Sequence, residues 1–289
     1  MSIFQTLREP FPEPVDLRKR LYRGQIFKLP TTFASLQLVE SVESLVLAIF
    51  SQDYRNAQLT ADRDSFLAKV RKLKDQTYES VRIRELTVRL LESHGFRADQ
   101  YCFDPPRLRA IAPDSDLIPA AAPALNPHRD TWYANPQAQI NWWIPLHNVS
   151  EKDSFSFYLK YFNAPVANDS ELFNYGNWIK TVGFGNSSTG KGGLYPAPNA
   201  PILDDSPQSF RLDRGEILLF AAAHLHATNG NATELTRFSI DFRMVNKQDH
   251  AAGIGAPNTD NKSTGDAYSS YYACSIYSDK EPVSLQPEK

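Results

Sequence analysis

Two histidines and an aspartate, far apart in the chain, carry its strongest chemical signal. His128 and Asp130 stand in Asn126-Pro127-His128-Arg129-Asp130-Thr131-Trp132-Tyr133. In an extended segment residues i and i+2 point the same way, so this imidazole and this carboxylate address one point. A His-x-Asp alone arises easily by chance. It gains weight from His226 in Ala223-His224-Leu225-His226-Ala227-Thr228. Two imidazoles and a carboxylate occupy one face of a metal and leave its other positions open, which suits a non-haem Fe(II) centre that admits further ligands. Downstream, Phe238, Ile240 and Phe242 alternate with Arg237, Ser239, Asp241 and Arg243. That is a half-buried strand with one strongly polar face. An arginine inside such a site needs an anion, and a dicarboxylate matches its planar fork. His224 shares a strand face with His226, and Arg243 shares one with Arg237, so both exchanges stay open at this point.

These residues need elements to position them. Residues 1–22 read as an irregular arm, and Arg23–Leu29 as a strand. Leu36, Val39, Val42, Leu45, Val46 and Ile49 recur at helical spacing over 33–51. A second helix is expected after Thr60 as N-cap, with Phe66, Leu67, Val70 and Leu73 on one side. A third is expected from Gln76 to His94, ended by Gly95. His94 reads as a surface residue complementing the helix dipole. After Asp104-Pro105-Pro106 the pattern shortens to strands: Arg107–Ala112, Gln137–Ile144, Ser154–Tyr161, Ser209–Leu212, Glu216–Ala222 and Thr236–Val245. Helices followed by a run of strands mean an α+β architecture, and many short strands favour a sandwich or barrel such as a jelly roll. Within Gln137–Ile144, Trp142 alternates with Ile140 and Ile144 toward a core. Gln137, Gln139 and Asn141 share the other face, where Gln139 and Asn141 are expected to contact ligand.

Composition narrows the class. The chain has 289 residues, 31 Lys plus Arg against 33 Asp plus Glu, and 42% hydrophobic residues. This is the composition of an ordinary globular protein with no footprint for nucleic acid. No run of 18 apolar residues marks a membrane span, and the N-terminus lacks a secretory h-region. Cys102 and Cys274 form no framework, which points to a reducing compartment, the cytoplasm. Gly185–Gly192 approaches a phosphate loop, but the final Ser/Thr is missing and Pro196, Pro198 and Pro201 forbid the following helix. Residues 183–193 read instead as a lid.

Gly215-Glu216-Ile217-Leu218-Leu219-Phe220 ends six residues before His226, and Arg237 follows His226 by eleven. With the His-x-Asp, these spacings resemble the 2-oxoglutarate/Fe(II)-dependent dioxygenases, closest to the phytanoyl-CoA dioxygenase-like branch. The resemblance spans residues 107–245 and implies a double-stranded β-helix (jelly-roll, cupin-like) core with N-terminal helices packed on it. Residues 1–289 would form one oxygenase domain, with a helical flank at 30–100, the jelly roll at 107–245 and a loop-rich segment at 246–289. It implies Fe(II), 2-oxoglutarate and O2, with His128, Asp130 and His226 as metal ligands. Arg237 would hold the far carboxylate of 2-oxoglutarate, assisted by Ser239 or Thr228, with Trp143 nearby. The spacing selects His226 over His224. Trp132, Tyr133 and Arg107 are candidates for substrate contact. The substrate would be a small polar metabolite or natural-product intermediate, hydroxylated, demethylated or desaturated with release of succinate and CO2. The sequence departs from the family in lacking its NG-x-L-x-x-x-P-G-S-H segment, in whose place stands Ser154–Pro165. Asp130 stands where related halogenases have a small residue, which implies oxygenation. Two rivals use the same ligands: a zinc hydrolase with Glu216 as base, and a metal- or dicarboxylate-binding sensor without turnover.

Overall fold

A computed structural model describes residues 4–7, 13–113, 125–181, 183, 195–203, 206–228 and 230–278. The expected lid at 183–193 lies almost wholly outside them. The architecture is mixed α+β. Its organising strand is β9 (Arg237–Asn246), the longest described. Along one edge β9 pairs antiparallel with β5 (Gln139–Pro145) over the whole of that strand. Along the other edge two short strands lie end to end, β4 (Arg107–Ile111) and β3 (Tyr101–Phe103). Pro105 and Pro106 have no N–H to continue the ladder between them. Asp104 bridges the gap: its backbone N–H donates to Arg243 O at 3.0 Å, and its Oδ1 accepts from Arg243 N at 2.6 Å. Beyond β5 the sheet continues through β7 (Ile217–Ala221), β2 (Ile26–Leu29) and β1 (Phe4–Thr6), and beyond β3 it ends on β10 (Tyr272–Ala273).

Period-2 alternation divides this sheet into two faces. Ile140, Trp142, Ile144, Phe238, Ile240, Phe242, Ile217 and Leu219 lie in one buried cluster with the helices α2 (Phe33–Phe50), α4 (Arg63–Glu79) and α5 (Val81–Ser93). Trp142 stacks on Phe242 at 5.5 Å and meets Phe96 and His94 edge-on. The opposite face looks toward a smaller layer, β6 (Phe155–Phe157) paired with β8 (His226–Thr228). Single bridges extend that layer to His128 on one side and Gln208 on the other. Trp143, Leu218, Phe220, Phe155, Phe157, Phe210 and Ile26 fill the space between the layers.

Several expectations are corrected. The stretch expected to be an irregular arm contains β1 and α1 (Pro14–Tyr22), and Asp249 holds α1 through Arg18 at 2.6 Å and Tyr22 at 3.0 Å. Thr60 ends the short helix α3 (Ala57–Thr60). The N-cap of α4 is Asp62, which accepts from Ser65 N. The third helix starts at Val81, not Gln76, because Ser80 ends α4 and caps α5. His94 is buried, its Nδ1 on Leu90 O at 2.9 Å. Ser209–Leu212 makes only an isolated bridge, and Ser154–Tyr161 shrinks to β6. Within the segment expected to be loop-rich, α6 (Lys247–Ala251) follows β9 and β10 pairs with β3. By length and hydropathy, α2 is long and apolar enough to cross a membrane, a property the composition reading did not assign. It carries Glu40 and Glu43, and it buries Leu38, Val39, Val42 and Val46.

Trp142 joins the helical layer to the sheet through three aromatic contacts. Trp142→Ala is expected to lower the unfolding free energy by about 3–5 kcal/mol, as for other large-to-small core changes. Urea denaturation checks this, and a loss below about 1 kcal/mol contradicts the packing described.

Candidate metal centre

His128 and His226 face each other as a bridge across the smaller layer. His128 N donates to His226 O at 2.9 Å and His226 N returns the bond at 3.0 Å. Such a pair puts both side chains on one face, and the ring centroids lie 4.5 Å apart. Each ring has its Nδ1 on a backbone carbonyl, His128 on Asn126 O at 2.8 Å and His226 on His224 O at 3.0 Å. A carbonyl only accepts, so Nδ1 carries the proton and Nε2 offers its lone pair to a metal. Asp130 opens the 3₁₀ turn Asp130–Tyr133, which ends on Ala134 at φ 59. Its Oδ1 is 3.8 Å from His128 Nε2. Ligand atoms of His128, Asp130 and His226 all lie within 4.8 Å of one another.

The carboxylate is oriented from the large sheet. Asp130 Oδ2 accepts from Asn141 Nδ2 at 2.6 Å and Gln139 Nε2 at 3.0 Å, with Arg243 Nε 3.9 Å away. Tyr271 closes the set by donating to Gln139 Oε1 at 2.7 Å. Oδ2 is thereby occupied, and Oδ1 is left for a metal. Gln139 and Asn141, expected on ligand, both donate to this carboxylate. Burial disfavours the charge on Asp130, yet the Arg243 guanidinium and the Asn141 hydrogen bond favour it, and the carboxyl is held below its usual range. Burial and the neighbouring His128 push His226 down to about 4, against the pull of Asp130. Burial also lowers His128. Both rings are therefore neutral at pH 7, as a metal requires.

Arg237 and Ser239 lie deeper on the same face of β9, 2% and 0% exposed. Arg237 Nη1 donates to Asp153 O at 3.0 Å, and its guanidinium lies 5.5 Å over the Trp143 ring. Its Nε and the Ser239 hydroxyl are buried without a hydrogen-bond partner. No carboxylate among the described residues forms an ion pair with it, and burial lowers its pKa to about 10. Asp241, four residues after Arg237, is taken by Arg109 at 2.5 and 2.9 Å. A buried cation beside an unpartnered hydroxyl fits the far carboxylate of a dicarboxylate. Arg243 differs: it is paired with Asp104 at 2.8 Å. Thr228 follows His226 by two residues on β8, opposite Phe155.

His224 is not part of the cluster. Its two ring nitrogens lie on Ala221 O and Gly24 O, each at 3.1 Å, and burial lowers it to about 4. Trp132, a candidate for substrate contact, is fully buried and donates to Asp260 at 2.7 Å. Arg107 pairs with Asp104 at 2.9 Å. Tyr133 does stand at the centre, its ring 5.4 Å from His128. Glu216, the hydrolase base candidate, accepts from Asp213 N at 2.8 Å in the turn before β7. His147 accepts from Phe238 N at 3.0 Å, and His250 packs on Tyr268.

Sequence reasoning missed the support behind the ligands. Arg129 alternates to the side opposite His128 and Asp130 and is 1% exposed. It donates to Tyr161 O at 2.6 Å, Ala164 O at 2.9 Å and Ala223 O, and its Nε lies 3.0 Å from Asp260. Asp260 also accepts from Trp132 and from Val166 N. An arginine between two ligands was a visible signal, whereas Asp260 offered none.

No family model matches the sequence, and no curated protein matches it. Among solved structures the chain is similar to the apo non-heme monooxygenase ThoJ: 13% identity, 80% of this chain, 77% of that one, TM-score 0.44. It is similar to EvdO2 from Micromonospora carbonacea var. aurantiaca: 10% identity, 85% and 94% covered, TM-score 0.44. It is similar to the epimerase SnoN in complex with Fe3+, alpha ketoglutarate and nogalamycin RO: 13% identity, 86% and 98% covered, TM-score 0.43. At these identities and scores the likenesses carry no part of the functional argument, which rests on the site.

Asn141→Leu is expected to weaken Ni(II) or Fe(II) binding about 10- to 100-fold, the usual cost of losing a residue that orients a ligand. Calorimetric titration of the metal checks this. Because His226 stays neutral until about 4 and His128 is also lowered, protons compete with metal only well below pH 6.5. Affinity is expected to be nearly flat from pH 8 to 6 and to fall toward 4. A fall centred near an unperturbed histidine pKa, about 6.5, contradicts the burial argument.

Proposed function

We propose that the chain is an Fe(II)/2-oxoglutarate-dependent oxygenase on a double-stranded β-helix, oxidising a small molecule with release of succinate and CO2. One observation carries the reading. Three convergent ligand atoms of the open-sided His-Asp-His type lie beside a strand whose polar face holds a buried arginine with no carboxylate partner among the described residues. Neither half alone requires a dicarboxylate cosubstrate, but together they frame one.

His128 and His226, fixed as Nδ1–H tautomers, and Asp130 through Oδ1 would hold Fe(II). Bound Fe(II) and 2-oxoglutarate supply the O2 activation and the oxidising power. Arg237 would clamp the far carboxylate, with Ser239 donating its hydroxyl, Thr228 assisting and Trp143 packing beside the guanidinium. Phe155, Phe220 and Phe210 pack in one buried cluster with Trp143, an apolar surrounding for that carboxylate. Gln139 and Asn141 hold Asp130 so that one oxygen serves the metal. Hydroxylation is the default outcome, and Asp130 as a third protein ligand supports oxygenation over halogenation. The hydrolase reading has weaker support, because Glu216 caps a surface turn. The sensor reading predicts binding without turnover.

The protein reconstituted with Fe(II) and ascorbate in air is expected to convert 2-oxoglutarate slowly to succinate even without substrate. Arg237→Gln is expected to raise the 2-oxoglutarate concentration for half-maximal turnover at least about tenfold, since a buried charged pair is lost. Binding of 2-oxoglutarate with no succinate under any condition favours the sensor. An unchanged 2-oxoglutarate requirement in Arg237→Gln removes Arg237 from the site.

A further inference from the structure

Arg237 is the first residue of β9, and a strand end needs anchors if its side chain is to keep one direction. Upstream the anchor is Thr236. Its N–H donates to Arg55 O at 2.8 Å, its carbonyl accepts from Arg55 Nε at 3.3 Å, and its hydroxyl donates to Gln58 Oε1 at 2.7 Å. Downstream the anchor is Phe238, and here the ladder departs from its usual form. A hydrogen-bonded antiparallel pair exchanges two backbone bonds. Leu146 N donates to Phe238 O at 3.1 Å, but Phe238 N donates to His147 Nε2 at 3.0 Å. β5 has ended at Pro145 and the chain bends at Leu146 and His147, so an imidazole stands where a carbonyl would continue the pairing.

The ring is fixed for that task. His147 Nδ1 lies 3.0 Å from Asn148 O. A carbonyl only accepts, so Nδ1 carries the proton and Nε2 keeps the lone pair that Phe238 N needs. A protonated ring would set one N–H against another. The charged groups facing the ring are Arg55, Asp153 and Arg237. Burial first, then Arg55, pushes His147 down to about 4, and Arg237 adds to this; the Asn148 carbonyl and Asp153 pull the other way and do not restore it. At pH 7 the ring is therefore a neutral acceptor and puts no second cation beside Arg237.

The other end of the guanidinium is held by a turn. Arg237 Nη1 donates to Asp153 O at 3.0 Å. That carbonyl is fixed in turn, because Asp153 Oδ1 accepts from Ser150 N at 2.7 Å and Ser150 Oγ at 2.9 Å. Backbone and head group of Arg237 thus have separate supports, and only His147 supplies the backbone support by a side chain that can be exchanged without touching the head group.

Resting on the oxygenase reading, we propose that His147 is a positioning residue for 2-oxoglutarate: by accepting from Phe238 N it sets the backbone from which Arg237 reaches the far carboxylate. It acts through Arg237 and leaves the metal ligands alone. Gln139 and Asn141, which donate to Asp130, lie toward the start of β5, whereas His147 follows its end. A histidine that only completed the sheet would affect every ligand of the site alike.

The test uses the full chain loaded with Ni(II), a redox-inert stand-in for the iron form, and calorimetric titration with two keto acids. One is 2-oxoglutarate. The other is 2-oxopentanoate, which has a methyl group in place of the far carboxylate. His147→Leu is expected to weaken 2-oxoglutarate at least about tenfold, the cost of a misaimed contact. It is expected to leave 2-oxopentanoate and Ni(II) within about twofold, because sites without shared partners act independently. His147→Gln, whose amide oxygen can accept from Phe238 N, is expected to keep 2-oxoglutarate within about threefold. In an Arg237→Gln background, His147→Leu is expected to cost nothing further, since both changes then act on one contact. Equal losses of the two keto acids in His147→Leu overturn the proposal, as does a further loss in the Arg237→Gln background. The unmodified protein gives a test that does not depend on folding of a variant. Because His147 stays neutral until about 4, the ratio of the two keto-acid affinities is expected to stay flat from about pH 8 to about pH 5.5, and the metal ligands cancel from that ratio. A fall centred near an unperturbed histidine, about 6.5, overturns the proposal. Failure of the unmodified Ni(II) protein to bind 2-oxoglutarate is a different result, because it overturns the oxygenase reading itself.

Discussion

A buried carboxylate stays ionised only if donors surround it, and the rest of the site is arranged around that requirement at Asp130. Asn141 and Gln139 donate to one oxygen while Arg243 supplies positive potential. The same donors decide which oxygen faces the histidines. They come from β5, so the large sheet sets the aim of a ligand carried by a loop near the smaller layer. The two layers must keep their spacing for the three ligand atoms to converge. Trp142 and its helices hold one side of that spacing, and the Phe155, Phe157 and Phe210 cluster fills the other.

The C-terminal segment completes this arrangement. Asp260 grips Arg129 and Trp132, the neighbours of the ligands. Ser263 accepts from Ala134 N, at the left-handed residue that ends the ligand turn. Tyr271 donates to Gln139, which holds Asp130. A segment that looks peripheral in sequence therefore locks the metal centre from behind. Residues placed by several independent bonds in this way lose little freedom when a metal arrives, which is the physical content of preorganisation.

Local patterns made much of the site legible. Alternation along Thr236–Arg243 assigned both faces of β9 correctly, because a strand has only two faces and burial sorts them. Spacing chose His226, whose ring converges with His128 and Asp130, whereas the ring of His224 lies between the carbonyls of Ala221 and Gly24. Non-local contacts defeated the reading elsewhere. Nothing near Gln139 in sequence says that its amide meets Asp130, and nothing near Trp132 says that its indole meets Asp260. Helix boundaries slipped where two good caps compete: Asp62 lies two residues past Thr60, and Ser80 splits a periodic stretch into two helices. The branch-level resemblance rests on sequence alone.

The central claim is that one site holds Fe(II) and 2-oxoglutarate together, with the cosubstrate on the metal. Anaerobic titration with Fe(II) and then 2-oxoglutarate, followed in the visible, tests it directly, because chelation of the iron by the keto acid produces a metal-to-ligand charge-transfer band. The account predicts that band in the unmodified protein and its loss in Asp130→Ala. No band, together with tight zinc binding at the same residues, would contradict the account.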